Sequence, residues 1–317
     1  MSKYVGRRAA IGLAKETVRG TAVAPTYWLP VESSSINDKV EKQVQQSGFG
    51  VIADSDNSFV VNKYAEGSLS FHLEDKALGL MLFNLLGAVS TAGSTNYVHT
   101  FTYTNTNQHQ SLTVGSFNPN ESKLFPLSMI NEFGITVEPN GFVTADVSFM
   151  SRIAKDWTTL SPTYTAVGNK FLHQHLSFKV AANLAGLAAA STIDLKGLDY
   201  SIAKNLLKED VAGTVAPGDI VNQEMSVSGS VTLTHDDNTW RDYLLNGTPK
   251  AVEIKFTYGA NNYLTFQMPY VTFETWELDG GLGDIINQKL DFKAHYDFAN
   301  AAQQISTCTL ANQVTSY

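Results

Sequence analysis

The chain has 317 residues, of which 43% are hydrophobic and only 16% are charged, against a usual charged share of about 25%. Its surface is therefore polar mainly through serine, threonine, asparagine and glutamine, which suits burial against other protein. The formal net charge is −8 and no Lys/Arg-rich run occurs, which argues against specific nucleic-acid binding. The single cysteine, Cys308, excludes an intrachain disulfide framework and any cysteine-rich metal site.

The sequence contains no segment that suggests membrane insertion. The basic N-terminus is broken by Gly12, Lys15 and Glu16 before an apolar segment of secretory length can form. No stretch approaches the roughly 20 apolar residues that a membrane-spanning helix requires. The sequence therefore predicts a soluble protein with no membrane partner.

Most periodic segments alternate between apolar and polar residues with period two, the pattern of strands with one buried face. The chain is therefore expected to be mainly β. The clearest predicted strands are Gly67–Leu73, Phe133–Glu138, Phe142–Phe149, Gly229–Thr234, Val252–Tyr258 and Lys289–Tyr296.

Two helices are predicted among these strands. The first covers Glu74–Leu86, carries leucines at helical spacing, and ends at Gly87. The second covers about Asp237–Asn246, opens with acidic residues that favour a helix start, and ends at Gly247. Each helix directly follows a strand that begins with Gly-Ser.

The order of elements around the two helices is the same, which predicts a duplicated module. Before each Gly-Ser strand lies a loop, Gln45–Ser58 or Lys208–Asn222. Before each loop lies a strand, Ser35–Val44 or Gly197–Leu207. Strands follow each helix, and each unit is thus a strand, a loop, a strand, a helix and further strands.

The expected domain boundaries follow from this repeat. Residues 1–155 form the first module with its N-terminal segment, and residues 170–317 form the second module with a C-terminal tail. The stretch 156–169 between them is rich in Ser, Thr, Pro and Gly and is expected to be a linker.

The N-terminal residues 6–31 carry a resemblance to a known family. Their "Gly-x-Ala-x-Glu-x-x-x-Gly-Thr" segment leads into an apolar "Trp-x-Pro" strand, as in the tail tube proteins (major tail proteins) of long-tailed, non-contractile bacteriophages. The matching residues are Gly12, Ala14, Glu16, Gly20, Thr21, Trp28 and Pro30. The polar loop, the Gly67 strand and the helix that ends at Gly87 continue the resemblance as an order of elements.

The resemblance implies a fold of two tandem β-sandwich tail-tube modules, each with one flanking α-helix, contributing strands to an inter-subunit β-barrel around a DNA-sized channel. It also implies that an extended loop between two early strands connects successive rings. The loop residues expected at these ring-to-ring contacts are Gly48, Phe49, Asp54, Asp56, Val211 and Asp219. The N-terminal residues expected to contact another subunit are Glu16, Thr21 and Trp28.

The resemblance further implies the partners and the location of the protein. The chain would be made in the bacterial host cytoplasm and assembled into the virion tail, in rings of three if it is duplicated and otherwise of six. Other partners would be the tape measure protein, the tail terminator and the distal tail protein. Genomic DNA would pass through the lumen without specific binding, and −8 per subunit allows a lumen that repels phosphates.

Patterns that could indicate catalysis or metal binding are incomplete. His173 and His175 would lie on one face of a strand, but no carboxylate or cysteine follows at matching spacing. Asp54–Ser58 begins like a calcium loop and lacks the required glycine and glutamate. Asp279–Asp284 lacks the lysine and the helix of a phosphate-binding loop and is expected to be a turn. No enzymatic activity, cofactor or metal is expected.

Two other functions fit the composition. One is a carbohydrate-binding β-sandwich of a tail appendage, which requires Trp157, Trp240 and Trp276 to form an exposed platform. The other is a different phage structural protein, such as a contractile-tail inner tube, a tail-tip protein or a capsid decoration protein.

Overall fold

The computed structural model describes residues 3–158, 160–164 and 168–317. Two α-helices, α1 (Leu78–Leu86) and α2 (Thr239–Leu245), and three 3-10 turns, Gly6–Arg8, His173–His175 and Leu184–Ala188, accompany nineteen strands. The strands are β1 (Ala10–Lys15), β2 (Tyr27–Leu29), β3 (Val31–Gln45), β4 (Asn57–His72), β5 (Gly87–Gly93), β6 (Tyr97–Tyr103), β7 (Leu112–Asn118), β8 (Glu121–Val137), β9 (Thr144–Ser151), β10 (Lys155–Asp156), β11 (Leu176–Ala181), β12 (Gly197–Ala203), β13 (Leu206–Glu209), β14 (Asp219–Asn222), β15 (Ser226–Thr234), β16 (Lys250–Tyr258), β17 (Asn262–Asp279), β18 (Asn287–Ala294) and β19 (Thr307–Asn312).

Strands hold 53% of the chain and helices 9%, so the expectation of a mainly β protein with two helices is confirmed. All pairs between the described strands are antiparallel. The described strands do not close into a barrel within one chain, and their arrangement is consistent with a β-sandwich.

The largest layer is a run of eight strands in the order β3-β4-β9-β8-β12-β15-β18-β17. The alternation of apolar and polar residues in β9 shows why this layer forms. The side chains that point into the core are Ala145, Val147 and Phe149, and those that point away from it are Asp146 and Ser148. The same parity holds along the neighbouring strands. The sheet therefore has one apolar face and one polar face.

Strands β8 and β17 are long and take part in a second layer through their first halves. The first half of β8 pairs with β7 and β10, and β7 pairs with β1. The first half of β17 pairs with β16 and β19, and β16 pairs with β11. The two halves of the chain thus use corresponding strands in corresponding ways.

Helix α1 is buried on nearly all sides and ends as predicted. Gly87 adopts a left-handed φ of 96° and its N–H donates to the Phe83 carbonyl, a conformation that glycine adopts without a Cβ penalty. The predicted start at Glu74 is four residues too early, because Glu74 and Asp75 instead accept hydrogen bonds from the backbone of Gly168 and Asn169.

Three other sequence-based boundaries change. The predicted strand Gly197–Leu207 is two strands, β12 and β13, separated at Asn205, which has a left-handed φ of 47°. His173 and His175 lie in a 3-10 turn and not on one face of a strand. Of the expected linker, Thr159 and residues 165–167 lie outside the described residues, and its Leu160 is buried.

One large hydrophobic core joins both halves of the chain. It includes Phe71 and Phe133 from the first half and Tyr200 and Phe266 from the second. Tyr200 packs against the Phe266 ring at a centroid distance of 5.1 Å. The two expected modules therefore share one hydrophobic core, and their boundaries at 1–155 and 170–317 stay a prediction.

Candidate assembly surfaces

The polar face of the eight-stranded sheet is the first surface with functional character. Its outward side chains are mostly serine, threonine and acidic residues. The carboxylates on this face of the described strands are Glu66, Glu132, Asp146, Asp199, Glu277, Asp279 and Asp291, and the lysines are Lys39, Lys289 and Lys293. Because the carboxylates outnumber the lysines, the face is acidic and repels other anions.

The second surface is the hairpin of β3 and β4, here called the arm. Strand β4 pairs with β9 only from Ala65 to His72, so the part of the hairpin beyond this point, residues 39–64, extends past the end of the sheet. Apolar side chains that a monomer would normally bury are exposed along it: Val40, Val44, Phe49, Val51, Ile52, Phe59, Val60 and Val61. An exposed apolar patch of this extent is typical of a protein–protein contact.

Four residues predicted for ring contacts lie at the tip of the arm. Gly48, Phe49, Asp54 and Asp56 are all exposed there. Ile52, which the sequence analysis did not select, is fully exposed at the same tip. Its signal was present in the sequence as an apolar pair, Val51-Ile52, inside a loop made mainly of polar residues and glycines.

The second predicted loop is placed differently, because the β13–β14 hairpin leans against the arm. The Lys63 N–H donates to the Val215 carbonyl at 2.6 Å, and the Lys208 ammonium lies 2.8 Å from a Glu41 carboxylate oxygen. Val211 remains exposed. This loop therefore braces the base of the arm in the single chain.

Asp219 is buried at the base of this second loop. Its carboxylate accepts hydrogen bonds from Arg19 Nε at 2.7 Å and from Gln108 Nε2 at 2.6 Å. The side chain joins the N-terminal segment to the second half of the chain. Its expected contact with another ring stays a prediction, and the arrangement here is one within the chain.

The third surface lies at the opposite end of the sheet. Because the strands are antiparallel, the β3–β4 connection and the β17–β18 connection fall at opposite ends. Residues 280–286 of the second connection, here called the lower tip, expose Leu282, Ile285 and Ile286. The sequence predicted a turn here but not a contact surface, although three apolar residues among glycines and aspartates were its signal.

The N-terminal segment is anchored within its own chain through Glu16. This carboxylate is buried and accepts hydrogen bonds from the Gly20 N–H at 2.7 Å, the Leu127 N–H at 2.8 Å, the Ser111 hydroxyl at 2.5 Å and the Thr113 hydroxyl at 3.0 Å. These bonds satisfy a charge that burial would otherwise penalise.

The two other N-terminal site residues differ in exposure. Trp28 is buried in a small core with Leu124 and Leu160, whereas Thr21 is exposed. Gly12 lies under this segment, and a Cβ there would come within 2.5 Å of Pro25. The expected contact of this segment with a neighbouring subunit stays a prediction. Of Glu16, Thr21 and Trp28, only Thr21 is exposed and so available for it.

Groups capable of chemistry are few in the part of the chain that is described. No three His, Cys, Asp or Glu side chains there are close enough together to hold a metal ion. Cys308 is fully buried, and burial raises the pKa of its thiol far above the ordinary range. No described helix has the length and apolar character needed to span a membrane.

The three tryptophans of the carbohydrate-binding hypothesis do not form an exposed platform. Trp240 is buried against Phe273 at a ring distance of 5.5 Å. Trp276 is half-buried and its indole N–H donates to Gln288 at 3.0 Å. Only Trp157 of the three is exposed.

Comparison with known proteins identifies the family of the chain. A search of curated proteins finds no match. The family model described as phage tail tube protein matches residues 6–307, almost the whole chain, which confirms the resemblance carried by the N-terminal residues. The chain therefore belongs to the phage tail tube protein family and is a structural component of the virion tail.

Proposed function

We propose that the chain polymerises as stacked rings into the tube of a long, non-contractile tail, and that DNA passes through the channel during infection. The observation that carries this proposal is the division of the exposed surface. A polar, acidic sheet face is flanked by two apolar tips, which lie at opposite ends of the sheet on different strands.

The acidic face is suited to lining the channel. A DNA duplex carries one negative charge per roughly 1.7 Å of its axis and is held by lysine and arginine contacts. A wall with more carboxylates than lysines provides few such contacts, so DNA can move along it without being retained. Serine and threonine hydroxyls keep this wall wet and uncharged between the carboxylates.

The arm and the lower tip are suited to axial stacking. Both expose apolar residues, and they point in opposite directions along the strands. A contact between different surfaces of identical chains produces a filament when its repetition does not close into a ring. The arm of one ring would therefore bury Phe49, Val51 and Ile52 against the ring above, where Leu282, Ile285 and Ile286 face it.

The matching use of strands in the two halves supports a duplicated module and a ring of three chains. Eight strands from each of three chains would give a barrel of about 24 strands. With a spacing of about 4.8 Å and a tilt of roughly 40°, such a barrel is roughly 50 Å across between backbones. This leaves a wide channel after side chains are added.

The remaining parts of the proposal follow from membership of a tail. The ends of the tube would contact a tail terminator and a distal tail protein, and the lumen would hold a tape measure protein before DNA enters. The subunit is made in the host cytoplasm. Its role is structural, without a catalytic step.

Removal of the apolar arm tip tests this function. The variant Phe49→Ser/Val51→Ser/Ile52→Ser should yield free subunits or single rings under conditions in which the wild type forms tubes, as seen by electron microscopy. Leu245→Ser removes an exposed apolar side chain from α2 and should form normal tubes. Tubes of normal length from the arm variant would contradict the proposed axial contact, as would the same defect in the control.

A further inference from the structure

The two halves of the chain meet at a strand pair that suggests how two chains meet. Strand β8 of the first half pairs with β12 of the second half from Glu132 to Val137. Ile135 lies opposite Tyr200, and each is 1% exposed. On the polar face the Thr136 hydroxyl donates to the Asp199 carboxylate at 2.9 Å.

The two outer edges of the eight-stranded sheet have no such partner among the described residues. Strand β3 pairs only with β4. The second half of β17, from Thr272 onward, pairs only with β18. Open strand edges are sites where another chain can add by backbone hydrogen bonding.

These two edges are the counterparts of β12 and β8. In β8 a register shift separates Ile130 from Glu132, opposite Phe149 and Ser148. In β17 the same shift separates Phe273 from Thr275, opposite Phe292 and Asp291. Counting from this shift, Leu278 takes the place of Ile135, and Asp279 takes the place of Thr136.

Strand β3 aligns with β12 through the glycines of the strands beside them. Gly67 lies opposite Ile36, and Gly229 lies opposite Tyr200. Ile36 therefore takes the place of Tyr200, and Ser35 takes the place of Asp199.

The exposed fraction of the edge residues indicates that a neighbouring strand is missing at each edge. Leu278 points toward the apolar side of the sheet, as Ile135 does, yet it is 49% exposed against 1% for Ile135. The difference arises because β12 covers β8, whereas among the described strands none covers the outer edge of β17 from Thr272 onward. Ile36 on the other edge is likewise only half-buried.

We propose that β3 of one chain pairs with β17 of a second copy in the register that β12 adopts on β8. Ile36 then lies opposite Leu278, Ser35 opposite Asp279, and Asn37 opposite Glu277. This rests on the proposed function and specifies its lateral contact. The Ser35 hydroxyl donates to Asp279, which repeats the Thr136–Asp199 pair with the roles of the two strands exchanged.

At one position β3 differs from its counterpart β12, and this difference favours pairing with one specific partner strand. Asp38 takes the place of the buried Ile202, and its carboxylate already accepts the Ala154 N–H at 2.9 Å. An inward-pointing charge on an edge strand discourages pairing in other registers and with other chains. The edge is thereby restricted to a partner that leaves this hydrogen bond intact.

Disulfide cross-linking tests the register, and the buried Cys308 does not interfere. In tubes assembled from Ser35→Cys/Asp279→Cys, mild oxidation should link most chains into covalent dimers and trimers on a denaturing gel. The control Lys39→Cys/Asp279→Cys lies on the same face but four residues out of register, roughly 13 Å away. This exceeds the Cα separation of about 7 Å that a disulfide tolerates, so the control should stay monomeric.

A second measurement uses the unmodified chain. Hydrogen exchange at amides of residues 34–39 and 275–279 should slow at least tenfold in tubes relative to free subunits. Tubes in which neither edge gains protection, or in which both cysteine pairs cross-link equally, would overturn the junction and leave the proposed function standing. Failure of the wild type to form any tube would instead contradict the proposed function.

Discussion

Gly67 lies directly opposite Phe149 across the β4–β9 pair, and a Cβ at this glycine would come within 2.4 Å of the Phe149 Cζ atom. The second half repeats the relationship: Gly229 lies opposite Phe292, with the corresponding distance at 2.5 Å. In both halves a phenylalanine ring covers a glycine, so the Gly-Ser start of each strand has a packing reason.

The first prediction concerns this contact. Gly67→Ala should lower the free energy of unfolding by roughly 1–3 kcal/mol, because the added methyl group forces a buried ring to move. Chemical denaturation of the free subunit measures the change. Gly134→Ala is the matched control, since its Cβ would meet no atom closer than 3.7 Å, and it should cost much less. Equal stability of the two variants would show that the ring is not confined.

The second prediction concerns the buried carboxylate of Glu16. Glu16→Gln replaces one acceptor oxygen by an NH₂ group, which would face an N–H or hydroxyl donor. The unfolding free energy should fall by roughly 1–3 kcal/mol, measured in the free subunit. Glu32→Gln, at an exposed position, should change it little. A stable Glu16→Gln subunit that fails only in assembly would instead assign Glu16 to a subunit contact.

The third prediction concerns Lys204, which is fully buried with its ammonium 2.8 Å from the Asn84 carbonyl. Burial, and then the nearby Arg19 charge, lower its pKa to about 7. The pKa of the neighbouring His109 is also lowered, mainly by burial. The unfolded chain keeps the Lys204 proton up to about pH 10.4, whereas the folded chain releases it near pH 7.

The sign of the effect follows from linkage. Between these two pH values the unfolded state binds more protons, so the stability of the wild type should rise with pH. Relative to Lys204→Met, which does not titrate at this position, the free energy of unfolding of the wild type should increase by roughly 4 kcal/mol between pH 6 and pH 10. Denaturant titrations of both proteins from pH 6 to pH 10 measure it. A stability difference that stays constant with pH would contradict the shift.

The fourth prediction concerns the acidic sheet face. Asp146→Lys/Asp199→Lys should still form tubes, which now retain short DNA duplexes at low salt and release them as salt rises. Wild-type tubes should not retain the DNA. Asp236→Lys/Asp237→Lys, exposed outside this face, is the control for added charge. Equal DNA retention by both variants would place the acidic face elsewhere than in the channel.

The local sequence was sufficient for most strands and for the end of each helix. Alternation reveals a half-buried strand residue by residue, as in β9, and Gly87 and Gly247 both adopt the left-handed conformation expected after a helix. The start of α1 was not predictable, because Glu74 and Asp75 bind Gly168 and Asn169, a contact that spans more than ninety residues.

The candidate surfaces were predicted less completely. The arm tip was expected from the resemblance to tail tube proteins. The lower tip was missed, since only strand pairing reveals that Leu282 lies at the other end of the sheet. Asp219 was predicted to be a ring-contact residue in a loop. Its contact within the chain was not predictable, because its partner Arg19 is remote in sequence. The shared core was also unpredictable, because it depends on the β8–β12 pairing between the halves.

Electron microscopy of the purified protein at high concentration, with mass measurement of the smallest closed particle, tests the tail tube assignment most directly. Hollow tubes built from rings of three chains are predicted. Rings of six would retain the tube and contradict the duplicated module. Particles that remain monomeric at every concentration, or solid fibres without a channel, would contradict self-assembly into a DNA-conducting tube.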